Sequence, residues 1–163
     1  MLFRSRRPLY FIENQHGRNP HDRLTPEESA RVILAHTEDG VELLEKAKLP
    51  AAIIDICRQH HGTSLLRYFY VKAAEQGEVD EDTFRYTGPK PQTREAAVIM
   101  IVDSIEAAVR SMKAPSEEGI RDLVAKIIRE KMMDDQFAEC DITTREIYRV
   151  GESACHTLSG LFH

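Results

Sequence analysis

The chain has 163 residues, 42% of them hydrophobic and 30% charged, which is enough apolar material for one globular domain with a real core. Its net charge of -5 argues against a general binder of nucleic-acid polymers, which carries a basic patch, but it leaves room for small phosphorylated ligands whose charge a metal ion meets locally. Three cysteines (Cys57, Cys140, Cys155) with no CxxC pair speak against a disulfide framework and fit a reducing cytoplasmic setting, and no apolar run reaches the length of a membrane span.

The opening "MLFRSRRPLYFI" lacks the basic, apolar, small-residue order of a signal peptide. In "NPHDRLTPEESARVILAH", His21-Asp22 falls in a polar stretch before a helix and reads as solvent-exposed turn chemistry. Thr25 predicts an N-cap, with Pro26 at the first helical position and Glu28 three residues after the cap, the pattern of a capping box. Ala30, Ile33 and Leu34 form the apolar face of that helix, and His36 lies on or near it. Asp39-Gly40 reads as a break, followed by a short helix over "VELLEKAK". "LPAAIIDICRQHH" predicts the next helix, started at Pro50 and stopped by Gly62. Its stripe of Ile53, Ile54 and Cys57 is followed by His60 and His61, three and four residues after Cys57, on the side facing the core.

A helix over "SLLRYFYVKAAEQG" precedes one long irregular segment, "EVDEDTFRYTGPKPQT". A loop this polar and proline-bearing inside a helical domain is often functional. "REAAVIMIVDSIEAAVRSM" is the most apolar helix and should be central, with Ala97, Ile101, Ile105 and Ala108 on one face and Asp103 interrupting the apolar run. "SEEGIRDLVAKIIREKMMDD" starts from a Ser116 cap and carries an Ile120, Leu123, Val124, Ile127 stripe; "TTREIYRVGESACHTLSGLF" starts at Thr143 or Thr144 and closes the domain. There is no internal repeat or low-complexity tract. The predicted fold is all-α, a helical bundle spanning residues 1–163 as a single domain.

Four residues stand out chemically. A carboxylate in a buried helix is costly unless it is paired or binds metal, so Asp103 is either half of a salt bridge, a cap to a neighbouring helix, or a ligand. His36, His60 and His61 each sit at or near a helix end beside an apolar stripe. One such histidine is usually a hydrogen-bonded core residue; three of them plus an aspartate, on three separate helices, fit a metal site. Imidazole with carboxylate suits Fe, Mn or Zn rather than Ca or Mg. Successive helical residues point about 100° apart, so His60 and His61 are not expected to bind one ion in the same manner. They suit two metals, or one metal and a substrate phosphate, with the pair of ions activating water and clamping a phosphoryl oxygen. His16, His156 and His163 show no partners at ligand spacing.

These residues fall in a familiar pattern. Over almost its whole length the chain strongly resembles the cytoplasmic HD domain of the bacterial seven-transmembrane HD proteins, the family of membrane-anchored cyclic di-AMP phosphodiesterases. The resemblance is carried by "RPLYFIENQ", "NPHDRLTPEESARVILAHTEDGVELL", "IIDICRQHHGTSLLRYFY", "FRYTGPKPQTREAAVIMIVDSIEAAVRS" and "ECDIT", with "HHGTSL" and "YTGPKPQT" specific to this family among HD domains. It implies two divalent transition-metal ions, Fe or Mn, with His36, His60 and Asp103 as ligands and His61 as a ligand or phosphate contact. It implies cyclic di-AMP as ligand, hydrolysed to a linear dinucleotide. In the irregular loop Lys90 and Thr93 are candidates for holding that nucleotide, with simple solvation as the alternative for the lysine, and Tyr86 is a candidate either for stacking on a base or for packing in the core. The resemblance implies tethering to the inner face of the membrane by upstream helices, and homo-oligomers are a further expectation. The family's early histidine and His-Asp dipeptide have no counterpart: Met1 falls at about the position of that aspartate, and Arg4 near the lysine that follows it. The domain is therefore expected to be N-terminally truncated, to bind metal weakly and to be inactive by itself. The alternative is a non-catalytic helical module that binds a nucleotide or a protein.

Overall fold

The computed structural model describes residues 8–11 and 19–161; Arg4, His16 and His163 lie outside them. The described residues form six α-helices, α1 (Pro26–Lys46), α2 (Ala51–Gln59), α3 (Arg67–Ala74), α4 (Arg94–Arg110), α5 (Glu117–Met133) and α6 (Thr144–Leu161), with short 3-10 turns at Pro8–Tyr10, Pro20–Arg23 and Glu81–Phe84. Among these residues extended pairing is limited to an isolated bridge between Leu65 and Arg85. The architecture is all-α.

The caps are where residue chemistry placed them. Thr25 Oγ1 accepts from the Glu28 backbone N–H at 3.2 Å, and the Glu28 carboxylate accepts from the Thr25 N–H at 2.9 Å, closing the capping box with Pro26 behind it. Ser116 caps α5 through Gly119 N–H. At α6 the Thr143 hydroxyl accepts from Glu146 N–H, while the Glu146 carboxylate accepts from Thr143 and is held below the usual carboxylate range by those bonds. One boundary differs from the sequence reading: Asp39-Gly40 does not break α1. Ile33, Thr37, Gly40 and Leu44 continue one inward face at steps of four, three and four, so the helix gains more from burying that face than the glycine costs. In α2 burial gathers in the last turn, at Cys57 and Gln59, and Ile53 is left exposed.

The chain divides into two compact units, Met1–Pro89 and Lys90–His163. In the first, α2, α3 and the Glu81–Phe84 turn all pack on α1. Its core is Ala30, Phe69, Ala73 and Phe84, with Ile33, Leu65, Leu66, Tyr70 and Val79 against it. In the second, α4, α5 and α6 each pack on the other two around Ile101, Ile105, Val109, Ile120, Val124, Ile128 and Ile147. The α4 face reads as expected at Ala97, Ile101 and Ile105, while Ile99 and Val102 on its other side are exposed.

Candidate metal centre

The first unit gathers the three histidines. His36 lies within α1 and is 4% exposed; His60 caps the C-terminus of α2 and is 2% exposed. Each ring is tied to its own helix: His36 Nδ1 meets the Ile33 carbonyl oxygen at 2.5 Å, and His60 Nδ1 meets the Cys57 carbonyl oxygen at 2.6 Å. A carbonyl only accepts, so both Nδ1 atoms carry the proton and both Nε2 atoms present lone pairs. His61 follows in the turn that Gly62 closes, with φ of 54° at the glycine and its N–H donating to the Gln59 carbonyl at 2.9 Å. His60 keeps helical backbone angles and its N–H still donates to the Ile56 carbonyl, and His61 is the first residue past that cap. The two rings lie on the same side, centroids 4.0 Å apart and 41° inclined. The expectation that adjacent histidines face different points is corrected by this proximity of the two rings.

The nitrogen atoms converge. His36 Nε2 is 3.3 Å from His60 Nε2 and 3.1 Å from His61 Nε2, and the three donor atoms lie within 4.8 Å of one another. Two imidazole lone pairs facing each other at this distance repel unless a proton or a metal ion lies between them. With metal–nitrogen bonds of about 2.1 Å, neighbouring ligands of octahedral or tetrahedral coordination are separated by about 3.0–3.4 Å, so the two separations from His36 fit a divalent transition metal. The Nδ1–carbonyl bonds are the outer-shell contacts that fix tautomer and ring orientation at such sites.

Aromatic rings wall the cluster. Tyr86, carried from the sequence as a candidate for stacking on a base, is 8% exposed and lies against His61 with centroids 4.4 Å apart and planes 21° apart. It stands edge-on to His36 at 5.8 Å, and Phe11 stands edge-on to the same ring at 5.3 Å. The Tyr86 segment is pinned to the histidine turn. Tyr86 N–H donates to the Ser64 carbonyl at 3.1 Å, Leu66 N–H to the Phe84 carbonyl at 2.8 Å, and Arg85 Nη1 to the Thr63 carbonyl at 2.8 Å. Arg85 is itself held by Glu81 at 2.7 Å. Sequence reasoning missed these partners because contacts between a turn and an irregular segment have no periodicity to betray them.

The other candidates sit as follows. Asp103, on α4 of the second unit, is half-buried and faces Lys131 of α5. Desolvation holds the Lys131 ammonium down at about 8, opposed by the negative charges of Asp103, Asp134 and Glu130. Lys131 follows Ile128 by three residues on the inward stripe of α5, and that misplaced charge was a readable signal. Thr93 caps α4, its hydroxyl accepting from Ala96 N–H at 3.2 Å, and Lys90 is half-buried two residues before Gln92, which donates to its carbonyl. His21 is a correction: it is not solvent-exposed but 8% exposed, with Nε2 meeting the Tyr10 carbonyl at 2.9 Å and its ring 5.2 Å from both Tyr10 and Phe69. The neighbouring aromatic rings turn what reads as a polar turn into a covered pocket, while Asp22 stays in solvent. His156 is exposed on α6. The three cysteines are free thiols.

Comparison with known proteins extends the pattern. The HD domain family profile matches residues 15–108. Cyclic-di-AMP phosphodiesterase PgpH of Bacillus subtilis is 51% identical over 99% of this chain, and PgpH of Listeria monocytogenes is 53% identical over 96%. The chain spans less than a quarter of the length of either, 23% and 22%. The crystal structure of the Listeria PgpH HD domain in complex with cyclic-di-AMP superposes with a TM-score of 0.93 at 51% identity, covering 98% of this chain and 76% of that one.

Proposed function

The chain belongs to the HD-domain family, and on that premise we propose that it serves a metal-dependent phosphodiesterase that opens cyclic di-AMP to a linear dinucleotide. The observation that carries this reading is the convergence of three imidazole Nε2 atoms, two of them held as lone-pair donors by Nδ1–carbonyl bonds. His36, His60 and His61 would hold a divalent ion, Fe or Mn on the family resemblance, with two ions in the full centre. A bound ion supplies positive charge to a phosphodiester and acidifies water for attack on phosphorus. The histidines keep their lone pairs aimed inward, and Phe11 and Tyr86 cover the His36 ring and limit water around it. Asp103 is retained as a further ligand on family resemblance. Lys90 supplies positive charge for the nucleotide phosphates, and the Thr93 hydroxyl hydrogen is available to donate while its oxygen caps α4. Tethering to the inner face of a membrane belongs to the longer protein; among the described residues no helix is long and apolar enough to cross one.

Three nitrogens grouped among the described residues, even with Asp103 added, are fewer ligands than a two-ion centre uses, so this chain by itself is expected to load Mn2+ weakly and to turn over cyclic di-AMP slowly or not at all. Equilibrium dialysis with Mn2+, run beside the crystallised Listeria HD domain, tests that: equal stoichiometric loading and turnover would overturn the expectation of inactivity. His60→Ala should reduce Mn2+ affinity by about tenfold or more and remove any turnover. Unchanged binding in a variant that keeps its helicity would show the cluster to be a structural hydrogen-bond network, and metal uptake without hydrolysis in the full protein would favour a non-catalytic binding module.

A further inference from the structure

We propose that Tyr86 is the positioning residue of the histidine cluster, its ring serving as the backstop that sets the plane of His61 rather than as a platform for a base. The inference deepens the metal-site reading above and rests on it for its consequence, but its geometry stands without metal. His36 and His60 are oriented by bonds from Nδ1 to carbonyls of their own helices. His61 lies beyond the end of α2, in a turn, where the helix no longer dictates direction. There the Tyr86 ring covers its face, nearly parallel at 21° and 4.4 Å between centroids, the geometry of close stacking. In this pose His61 Nε2 comes to 3.1 Å from His36 Nε2.

A backstop must itself be fixed, and Tyr86 is. Its backbone N–H is bonded to the Ser64 carbonyl, three residues after His61, and the Leu65–Arg85 bridge lies beside it. Arg85 reaches back to the Thr63 carbonyl and is locked by Glu81. Turn and backstop therefore move as one piece, so the ring planes are held by a closed loop of contacts. A site 1 Å too loose loses ligand geometry, which is why contacts one shell out matter.

The test compares Tyr86→Phe, which keeps the ring, with Tyr86→Leu, which keeps bulk without a stacking face; Phe84→Leu serves as a control that removes core from the same segment, where Phe84 packs with Ala30, Phe69 and Ala73. In metal-free protein the His61 ring protons should show an upfield ring-current shift and a cross-relaxation peak to the His36 ring. Both should persist in Tyr86→Phe and Phe84→Leu and vanish in Tyr86→Leu. With Co2+ as probe, Tyr86→Leu should bind about tenfold more weakly and show an altered visible spectrum, and Tyr86→Phe should restore both. If His61 keeps its shift and its contact with His36 in Tyr86→Leu, or if Phe84→Leu loses them equally, the inference is wrong. If the wild-type ring signature is present but Co2+ does not bind, the metal reading fails while the positioning of His61 stands.

Discussion

A buried cysteine sits one helical turn before the paired histidines and shares their backbone: the carbonyl of Cys57 is the anchor of His60, while its thiol donates to the Thr37 carbonyl at 3.8 Å. Desolvation pushes this thiol up from its ordinary 9.0 to about 11, against the lowering effect of Arg58. It is therefore a packing residue, neither ligand nor nucleophile, because the thiolate is the reactive form. Linkage gives the sign. Folded protein holds this proton more tightly than unfolded chain, so the contribution is fully present below pH 9 and is lost as pH rises toward 11, by about 2–3 kcal/mol. Urea unfolding of wild type and Cys57→Ala across pH 8–11 checks this: the variant should show a shallower decline, and parallel curves would refute it. At this scale the sequence made the histidine cluster legible, since His36, His60 and His61 stand beside apolar stripes that point them inward. It did not make Tyr86 legible as their neighbour, because ring stacking between residues 25 positions apart depends on the path of an irregular segment.

Elements were readable where their signals are local. Thr25-Pro26-Glu28 encodes the start of α1, and Thr25→Ala should cost about 1 kcal/mol in denaturant unfolding, as loss of an N-cap does. The false break at Asp39-Gly40 shows the converse: a glycine signals a stop only when the inward face also ends, and here that face runs on to Leu44. Gly151 in α6 makes the same point from packing. A Cβ there would stand 2.5 Å from Ile128 Cδ1 and 3.2 Å from Val124 Cγ1, both in the core of the second unit. Alanine gains about 1 kcal/mol of helix propensity over glycine, but crowding a close-packed core costs about 1–3 kcal/mol. Gly151→Ala should therefore be neutral to destabilising by up to about 2 kcal/mol. Gly160, with nothing within 4 Å of the same atom, should become more stable by up to about 1 kcal/mol on the same substitution. Melting both variants decides it: a gain at Gly151 as large as at Gly160 would mean that Ile128 moves aside at no cost.

For the whole molecule the sequence reading of a single domain was silent about the division into two compact units, because hydrophobic periodicity reports which face of a helix is inward but not which partner it meets. The two units invest differently. The second buries a continuous set of branched aliphatic residues from three mutually packed helices. The first has a smaller apolar core and places buried imidazoles beside one another, an arrangement that repels itself when no cation is shared. The second unit should hold itself together on hydrophobic burial; the first should draw on metal. Expressed alone, residues 90–163 should be helical and unfold cooperatively with a stability of about 3–5 kcal/mol, within the range of small domains, and Ile120→Ala should remove about 2–5 kcal/mol of it. Mn2+ should leave this fragment's midpoint where it is. In the full chain, Mn2+ at 100 times its dissociation constant should add about 2.7 kcal/mol through mass action on the folded state, and His36→Ala should abolish that gain. A fragment that is unstructured, or one that Mn2+ stabilises as much as the full chain, would break this division of labour: the first outcome would mean that the aliphatic core does not stand by itself, the second that the metal acts away from the three histidines.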